Sequence, residues 1–238
     1  MKKYLLIALC FATVLVARAQ KVLVNDPNAV LRSVNQSFHS IKVSGGIDLY
    51  LSQHDDETIA VSAKSTEDID NIKTEISGGQ LNIYYDGSRG WSTGNKKMKV
   101  YVSFKKLDYL KASGASDVQV AGSIQGELLQ IELSGASALK TGVQVQKLDI
   151  NLSGASDVKL SGTATNFKIE SSGASDVKAF DLVVETCYAK ASGASDININ
   201  VTKSLEAHAS GASDIHYKGG ANITNIQSSG ASSVGRRD

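Results

Sequence analysis

The residues with the clearest chemical potential form one repeated motif. The tetrad Ser-Gly-Ala-Ser occurs seven times, at intervals of 18 to 21 residues, beginning at Ser113, Ser134, Ser153, Ser172, Ser192, Ser210 and Ser229. An aspartate follows five of these copies, at Asp117, Asp157, Asp176, Asp196 and Asp214. Hydroxyls can act as nucleophiles, and carboxylates are among the oxygen ligands that calcium prefers. The motif therefore raises two chemical hypotheses, a catalytic serine and a calcium site.

The serine hypothesis is the weaker of the two. The chain has no Gly-x-Ser-x-Gly elbow, and no motif links a serine to His39, His54, His208 or His216. Seven equivalent serines are better explained as hydroxyls stacked in seven equivalent bends.

The calcium hypothesis rests on the column of aspartates, of which Asp157, Asp176, Asp196 and Asp214 are the candidate ligands. Carboxylates about 5 Å apart repel one another, so cations or neighbouring lysines must relieve them. The nine-residue Gly-Gly-x-Gly-x-Asp calcium repeat is absent, and lysines such as Lys159 lie two positions further on, on the same predicted face. We expect the aspartates to cap the bends, with no metal site and no cofactor.

The period near 19 residues predicts the architecture. Segments such as Leu148-Asp149-Ile150-Asn151-Leu152 alternate apolar and polar residues, as a strand with one buried face does. One unit cannot bury its own apolar face, whereas stacked units can. We predict an all-β, single-domain parallel β-helix, right-handed by the usual crossover preference. Helical repeats and propeller blades have longer periods, and no leucine-rich consensus is visible.

Stacking places equivalent residues of successive coils side by side. Residues one and three positions before each tetrad should face inward, as should Cys187, which we interpret as a small core residue. Residues two and four positions before the tetrad should face outward. Opposite charges should then lie side by side in neighbouring coils, Lys111 beside Glu132, Glu170 beside Lys190 and Asp149 beside Lys168, which favours this register.

The N-terminal third is less regular. Ser44-Gly45-Gly46 and Ser77-Gly78-Gly79 resemble degenerate copies of the bend, and one helical turn is predicted within residues 65–71. Residues 86–97 form a loop. Aromatic faces backed by arginine suit sugar or aromatic stacking, so the predicted ligand-binding residues are Tyr84, Tyr85, Arg89 and Trp91. The alternative is that Trp91 folds back over the end of the core.

The first 19 residues have the three parts of a secretory signal peptide: a basic start, an apolar run and the small residues Ala17 and Ala19. About 13 apolar residues are too few to cross a bilayer. The predicted divisions are a signal peptide at 1–19, a leader at 20–36 and one domain at 37–238, with irregular coils at 37–112 and regular repeats at 113–234.

Export would remove three basic residues, leaving 22 basic against 24 acidic ones and a charge of −2. This near-neutral balance does not favour nucleic acid as a partner. Cys187 would be the one remaining cysteine, so the mature chain has no internal disulfide. We expect no membrane-spanning segment in the mature chain. The predicted location is the periplasm, the outer surface or the extracellular medium.

The segment from Ser37 to Leu51, followed by repeated Ser-Gly-Ala-Ser-Asp-Val, resembles the family of putative auto-transporter adhesins with a head GIN domain. The resemblance covers roughly residues 37–234. The namesake tripeptide is Gly46-Ile47-Asp48, with aspartate in place of asparagine. The resemblance implies an exported β-helical protein of bacteria such as the Bacteroidetes, with an adhesin-like role and no catalytic residues to carry over.

Three functions stay open at this point. The first is an exported, non-enzymatic, adhesin-like protein that binds a surface glycan or an envelope protein. The second is a carbohydrate-active β-helix enzyme, which coils of 18 to 21 residues disfavour because they leave no room for the excursions that build a cleft. The third is an envelope scaffold with no specific ligand.

Overall fold

The computed structural model describes residues 26–87 and 97–237. The fold is nearly all-β, with 67% strand and 3% helix, and forms a parallel β-solenoid of about 7 turns with about 19 residues per turn. The predicted fold class is confirmed. The right-handed sense stays a prediction, and so do the domain divisions. The predicted signal peptide lies outside the described residues.

The described part of the N-terminal third contains eight strands and one short helix. In chain order they are β1 (Val30–Arg32), β2 (Ser40–Val43), β3 (Asp48–Gln53), β4 (Thr58–Ser62), α1 (Thr66–Asn71), β5 (Ile72–Ser77), β6 (Gln80–Tyr85), β7 (Lys99–Phe104) and β8 (Tyr109–Ala112). The helix confirms the predicted helical turn. Ser65 caps it, because its side-chain oxygen accepts a hydrogen bond from the backbone N–H of Asp68 at 3.1 Å.

The regular coils follow as long strands that run from one bend to the next. They are β9 (Asp117–Leu133), β10 (Ala138–Leu152), β11 (Asp157–Ser171), β12 (Asp176–Ala191) and β13 (Asp196–Gly211), and then the shorter β14 (Asp214–Lys218), β15 (Asn222–Gly230) and β16 (Ser233–Arg236). Each pairs in parallel with its neighbours, and Ile150 lies in register between Ile131 and Ile169. Register shifts at the corners divide a coil into segments, such as the one around Val183 and Val184 in β12.

The order of the first coils in space differs from their order in the chain. β2 lies between β6 and β8, and β3 lies between β7 and β9. The coil made by β6 and β7 is therefore the outer one, although the β2–β3 coil precedes it in sequence. β1, β4 and β5 add antiparallel strands at this end.

Gly78 and Gly79 form the turn of an antiparallel hairpin between β5 and β6. Their φ angles are 57° and 76°, and two consecutive positive values are typical of the two-residue hairpin turn that suits twisted strands. The prediction that Ser77-Gly78-Gly79 copies the solenoid bend is therefore wrong. Most of the predicted loop at residues 86–97 lies outside the described residues.

The Ser-Gly-Ala-Ser bends stack on one another through their backbones. The N–H of Ala155 donates to the carbonyl of Gly135 at 2.8 Å, and the N–H of Ala174 donates to Gly154 at 2.8 Å. The second serine is buried in the first six tetrads, and from Ser137 onward it closes its own bend, as Ser156 Oγ does by donating to the Ser153 carbonyl at 3.1 Å. The hydroxyls are structural, as predicted.

The aspartates do not cap these bends in the expected way. The buried serine does so, while the backbone N–H of Asp157 donates to the Ser137 carbonyl of the preceding coil at 3.1 Å. The carboxylate points outward instead. Asp214 is an exception, because its side chain accepts a hydrogen bond from the backbone N–H of Ser233 at 3.1 Å.

The inward columns form one continuous apolar core. Ile150 is 1% exposed, and the equivalent residues of the other regular coils are also buried. Cys187 is buried too, as predicted, and burial raises the pKa of its thiol. The last coil departs from the prediction, because Ile226 is 41% exposed and Ser228 is also exposed. Among the described residues no further coil covers them.

Candidate ligand-binding surface

The strands before each bend present a polar outer surface, which we call the ladder face. It consists of the side chains four and two positions before each tetrad. From one end to the other these are Tyr109, Lys111, Gln130, Glu132, Asp149, Asn151, Lys168, Glu170, Tyr188, Lys190, Glu206, His208, Asn225 and Gln227. The alternation of the strands places all of them outward.

One predicted ion pair joins neighbouring coils on this face. Lys111 Nζ lies 3.0 Å from Glu132 Oε2, as predicted. Glu170 is aligned with Lys190 and Asp149 with Lys168, but the direct contacts differ.

Lys168 contacts Glu170 at 2.8 Å, and Lys147 contacts Asp149 at 3.1 Å. Glu170 and Lys190 are thus neighbours in register as predicted, and so are Asp149 and Lys168, but the direct contacts of both carboxylates are with lysines of their own strands. The physical reason is that residues i and i+2 of one strand share a face, so a lysine can reach along its own strand as easily as across to the next.

The pKa values of this face reflect its internal pairing. Burial acts to raise the pKa of Glu132, but hydrogen bonds from Lys111 and Tyr109 lower it overall. The hydrogen bond from Lys168 lowers the pKa of Glu170, and the charge of Lys190 adds to the effect. Both carboxylates are thus ionised at neutral pH and have cationic neighbours within the protein.

Tyr109 gives a pH-dependent prediction. Burial, and then its hydrogen bond to Glu132, raises the pKa of Tyr109 to about 12, against about 10 in an unfolded chain. The Tyr109 hydroxyl therefore ionises at a higher pH in the folded protein than in the unfolded chain. The stability that results is present below pH 10 and is lost as the pH rises towards 12. Urea unfolding of the wild type and Tyr109→Phe should show a stability difference that shrinks across this range. A difference that is constant or grows with pH would contradict the assignment.

Two shallow grooves run along the bend side of the ladder face. One, of about 400 Å³, is lined by Lys111, Glu132, Asn151, Glu170 and Lys190, together with the first serines of the bends, Ser134, Ser153, Ser172 and Ser192. The other, of about 450 Å³, is lined by Tyr188, Lys190, His208, Ser210, Gln227 and Ser229. They share Lys190 and follow the solenoid axis. We call the two together the serine groove.

Asn151 is at the middle of the first groove and is exposed. Its side-chain amide makes no hydrogen bond with any part of the chain that the structure describes. By contrast, its neighbour Glu132 accepts hydrogen bonds from Lys111 at 3.0 Å and from Gln130 at 3.2 Å. Asn151 can therefore both donate to and accept from a ligand without giving up an internal partner.

The calcium candidates lie on the strands after the bend, on a different outer surface. Asp157 is aligned with Asp176, Asp176 with Asp196, and Asp196 with Asp214. Asp176 contacts Lys178 at 2.7 Å, and a groove of about 360 Å³ places Lys140 and Lys159 beside the column. Within the described ranges, no group of three or more histidine, cysteine, aspartate or glutamate residues is arranged to hold a metal ion.

Calcium is expected to leave the stability of the protein unchanged. The lysines beside the column can offset the repulsion between its carboxylates, and calcium prefers six to eight oxygen ligands in one site. Thermal melts of the mature chain with calcium and with chelator should therefore coincide. A midpoint raised by calcium, and restored to its original value by Asp176→Asn, would show that the column is a metal site.

The predicted aromatic site is only partly described. Tyr84 and Tyr85 are consecutive on β6 and make separate contacts: Tyr84 Oη donates to Glu75 at 3.0 Å, and Tyr85 Oη donates to Asp68 at 2.9 Å. Tyr85 also packs against the core. The structure therefore does not bring these two rings together on one surface. Arg89 and Trp91 lie outside the described residues, and their role stays a prediction.

One aromatic pair in the structure is not predicted by any pattern in the sequence. Tyr50 on β3 and Tyr101 on β7 stack with ring centroids 5.1 Å apart and an angle of 21° between the rings. Tyr101 Oη donates to Asp26 at 3.0 Å, and burial followed by this bond raises the pKa of Tyr101. The pair depends on β3 lying beside β7, and a strand order that departs from chain order leaves no regular spacing in the sequence.

The family described as putative auto-transporter adhesin, head GIN domain, matches residues 37–221. The chain belongs to this family. No curated protein matches the sequence. Across residues 26–87 and 97–237, no helix combines the length and the apolar character needed to cross a membrane.

Solved structures share the fold across nearly their whole length. A putative adhesin from Bacteroides fragilis has a TM-score of 0.81 at 23% identity, covering 89% of this chain and 98% of that one. A putative adhesin from Parabacteroides distasonis has a TM-score of 0.71 at 23% identity, covering 88% and 96%. A putative lipid binding protein from the same organism has a TM-score of 0.66 at 21% identity, covering 90% and 98%. These TM-scores establish a shared fold.

Proposed function

We propose that this chain is an exported, non-enzymatic, adhesin-like protein that binds a partner in the bacterial cell envelope or on a cell surface. The observation that carries the proposal is the ladder face, where a rigid solenoid holds polar side chains in aligned columns beside a long open groove. Family membership supports the adhesin-like role. The predicted signal peptide at residues 1–19 supports export.

The groups that an enzyme would use have structural roles here. Ser172 Oγ donates to the Leu152 carbonyl at 3.1 Å, which belongs to the stacking of the coils. His208 lies 2.8 Å from Glu206 and 3.1 Å from Gln227, on an open surface. The raised pKa of the Cys187 thiol opposes formation of the thiolate that a cysteine nucleophile needs. These features favour binding over catalysis.

Retention on envelope material tests the proposal. The mature chain, residues 20–238, should bind saturably to envelope fractions of Bacteroides fragilis in a sedimentation assay. The double variant Lys190→Ala with Gln227→Ala, on the ladder face, should weaken this retention. Lys159→Ala with Gln119→Ala is a matched control on the other outer surface, because it removes the same two exposed side-chain types.

Two results would overturn the proposal. Absence of saturable retention would favour a scaffold with no specific ligand. Equal loss in both double variants would show that the ladder face is not the binding surface. Fractionation of cells that express the full chain tests export, since the proposal requires a processed protein outside the cytoplasm.

A further inference from the structure

We infer that the serine groove binds an unbranched, uncharged, β-1,4-linked glycan that lies parallel to the solenoid axis. This inference rests on the proposed function and names the ligand class and the site. Three properties of the groove lead to it: its charge balance, its pattern of hydrogen-bonding groups and its repeat distance.

The charges that line the first groove cancel. Lys111 and Lys190 oppose Glu132 and Glu170, and both glutamates already have lysine partners at 3.0 Å or less. A charged polymer would have to displace these contacts and would gain little, because no surplus of either sign lines the groove. A neutral ligand avoids that cost. Its binding should therefore depend weakly on salt.

The groove offers hydrogen bonds of the kind that sugar hydroxyls use. Three first serines of the groove donate to a carbonyl of the preceding coil: Ser153 Oγ to Leu133 at 3.5 Å, Ser172 Oγ to Leu152 at 3.1 Å and Ser192 Oγ to Ser171 at 3.4 Å. Their oxygen lone pairs can accept from a ligand. Asn151 adds an amide that both donates and accepts and has no partner among the described residues. Half-buried Tyr188 lines the second groove, where its ring already contacts His208 and Lys168, so it can offer a ligand its phenol hydroxyl.

The distance between equivalent groups along the groove favours one class of neutral polymer over others. Equivalent groups recur once per coil, about 4.8 Å apart along the axis. An extended peptide advances about 3.3 Å per residue, so its side chains on one face recur only every ~6.6 Å and fall out of step with the coils. One pyranose of an extended β-1,4-linked chain is close to one coil step in length. Successive sugars of such a chain are turned by about half a revolution around its axis, so every second sugar can meet every second serine in the same orientation.

Titration calorimetry of the mature chain with defined oligosaccharides tests the inference. The probes are cellohexaose and chitohexaose, with maltohexaose as an α-linked, curved control and cellobiose as a short one. We expect at least one β-linked hexasaccharide to bind about tenfold or more tightly than cellobiose, with little change between low and high salt. Maltohexaose should bind much more weakly.

Single substitutions locate the site. Asn151→Ala should weaken hexasaccharide binding about tenfold, equivalent to ~1.4 kcal/mol. Gln144→Ala is the matched control, because Gln144 is an exposed amide on the same coil that does not line the groove. It should have no effect. Circular-dichroism melts should be unchanged for both, since neither side chain has an internal hydrogen bond in the described structure.

The outcomes separate this inference from the proposed function. Failure of both β-linked hexasaccharides to bind, with envelope retention intact, would overturn the glycan ligand and leave the proposed function standing. Loss of retention as well would overturn both. Hexasaccharide binding that Asn151→Ala does not weaken would place the glycan outside the serine groove.

Discussion

Ile150→Asp is expected to destabilise the folded protein by about 4 kcal/mol or more. Ile150 is 1% exposed and lies in register between Ile131 and Ile169 in the inward column. A carboxylate there would be surrounded by apolar side chains with neither a cation nor a hydrogen-bond donor to compensate it. Equilibrium unfolding in urea, followed by far-ultraviolet circular dichroism, measures the change, and a variant that no longer folds would fulfil the prediction in its extreme form.

Asn151→Asp is the matched control, one residue further along the same strand. Asn151 is exposed and lies in register between Glu132 and Glu170, so the new charge meets two like charges in solvent. We expect a cost below about 1 kcal/mol, because exposed charge contacts are weak. A one-residue slip in register would exchange the two faces. The reverse order of the two effects would therefore contradict the register of this coil.

The regular coils could be predicted from sequence because two periods coincide there. Alternation with period two decides which face of each strand is buried, and the period near 19 decides which residues are neighbours. Together they predict that Ile131, Ile150 and Ile169 stack inward and that Lys111 meets Glu132, as the structure shows. The tetrad adds a bend in which the glycine has a positive φ in all seven copies.

The first coils could not be predicted in the same way. A period identifies neighbours only when the order in space follows the order in the chain, and β6–β7 is placed outside β2–β3. Gly78 and Gly79 look like a bend because glycine serves any turn with positive φ. The stacking of Tyr50 on Tyr101 depends on the same exchange of coils.

The candidate surface was predictable in composition but not in detail. Alternation alone predicts that Asn151 and Glu170 face outward, whereas the choice between Lys168 and Lys190 as the partner of Glu170 depends on side-chain conformation. The shape of the groove depends on how far the bends are set back from the outer surface of the strands. The alternation and the repeat period do not predict that distance. The sequence pattern therefore favours the more conspicuous aromatic residues around Tyr84 and Tyr85.

Two independent constraints require glycine in the bends, and Gly154 is subject to both. Its φ of 83° lies in the left-handed region that residues with a Cβ rarely adopt. A Cβ at this position would also lie 2.5 Å from the carbonyl oxygen of Gly135 in the preceding coil. That oxygen accepts the hydrogen bond from Ala155 and belongs to the backbone, so it cannot move aside without separating the coils.

Gly154→Ala is therefore expected to destabilise the protein by about 3 kcal/mol, from backbone strain and from the clash between stacked bends. Gly126→Ala is the matched control, because Gly126 has no positive φ and a Cβ there would meet nothing within 4 Å. It should change the stability by less than about 0.5 kcal/mol, or raise it slightly by restricting the unfolded chain. Urea unfolding of the two variants decides the matter. Equal, small effects of the two substitutions would mean that neighbouring bends can move apart at little cost. The hydrogen bonds between stacked glycines and alanines would then not be what keeps the coils in register.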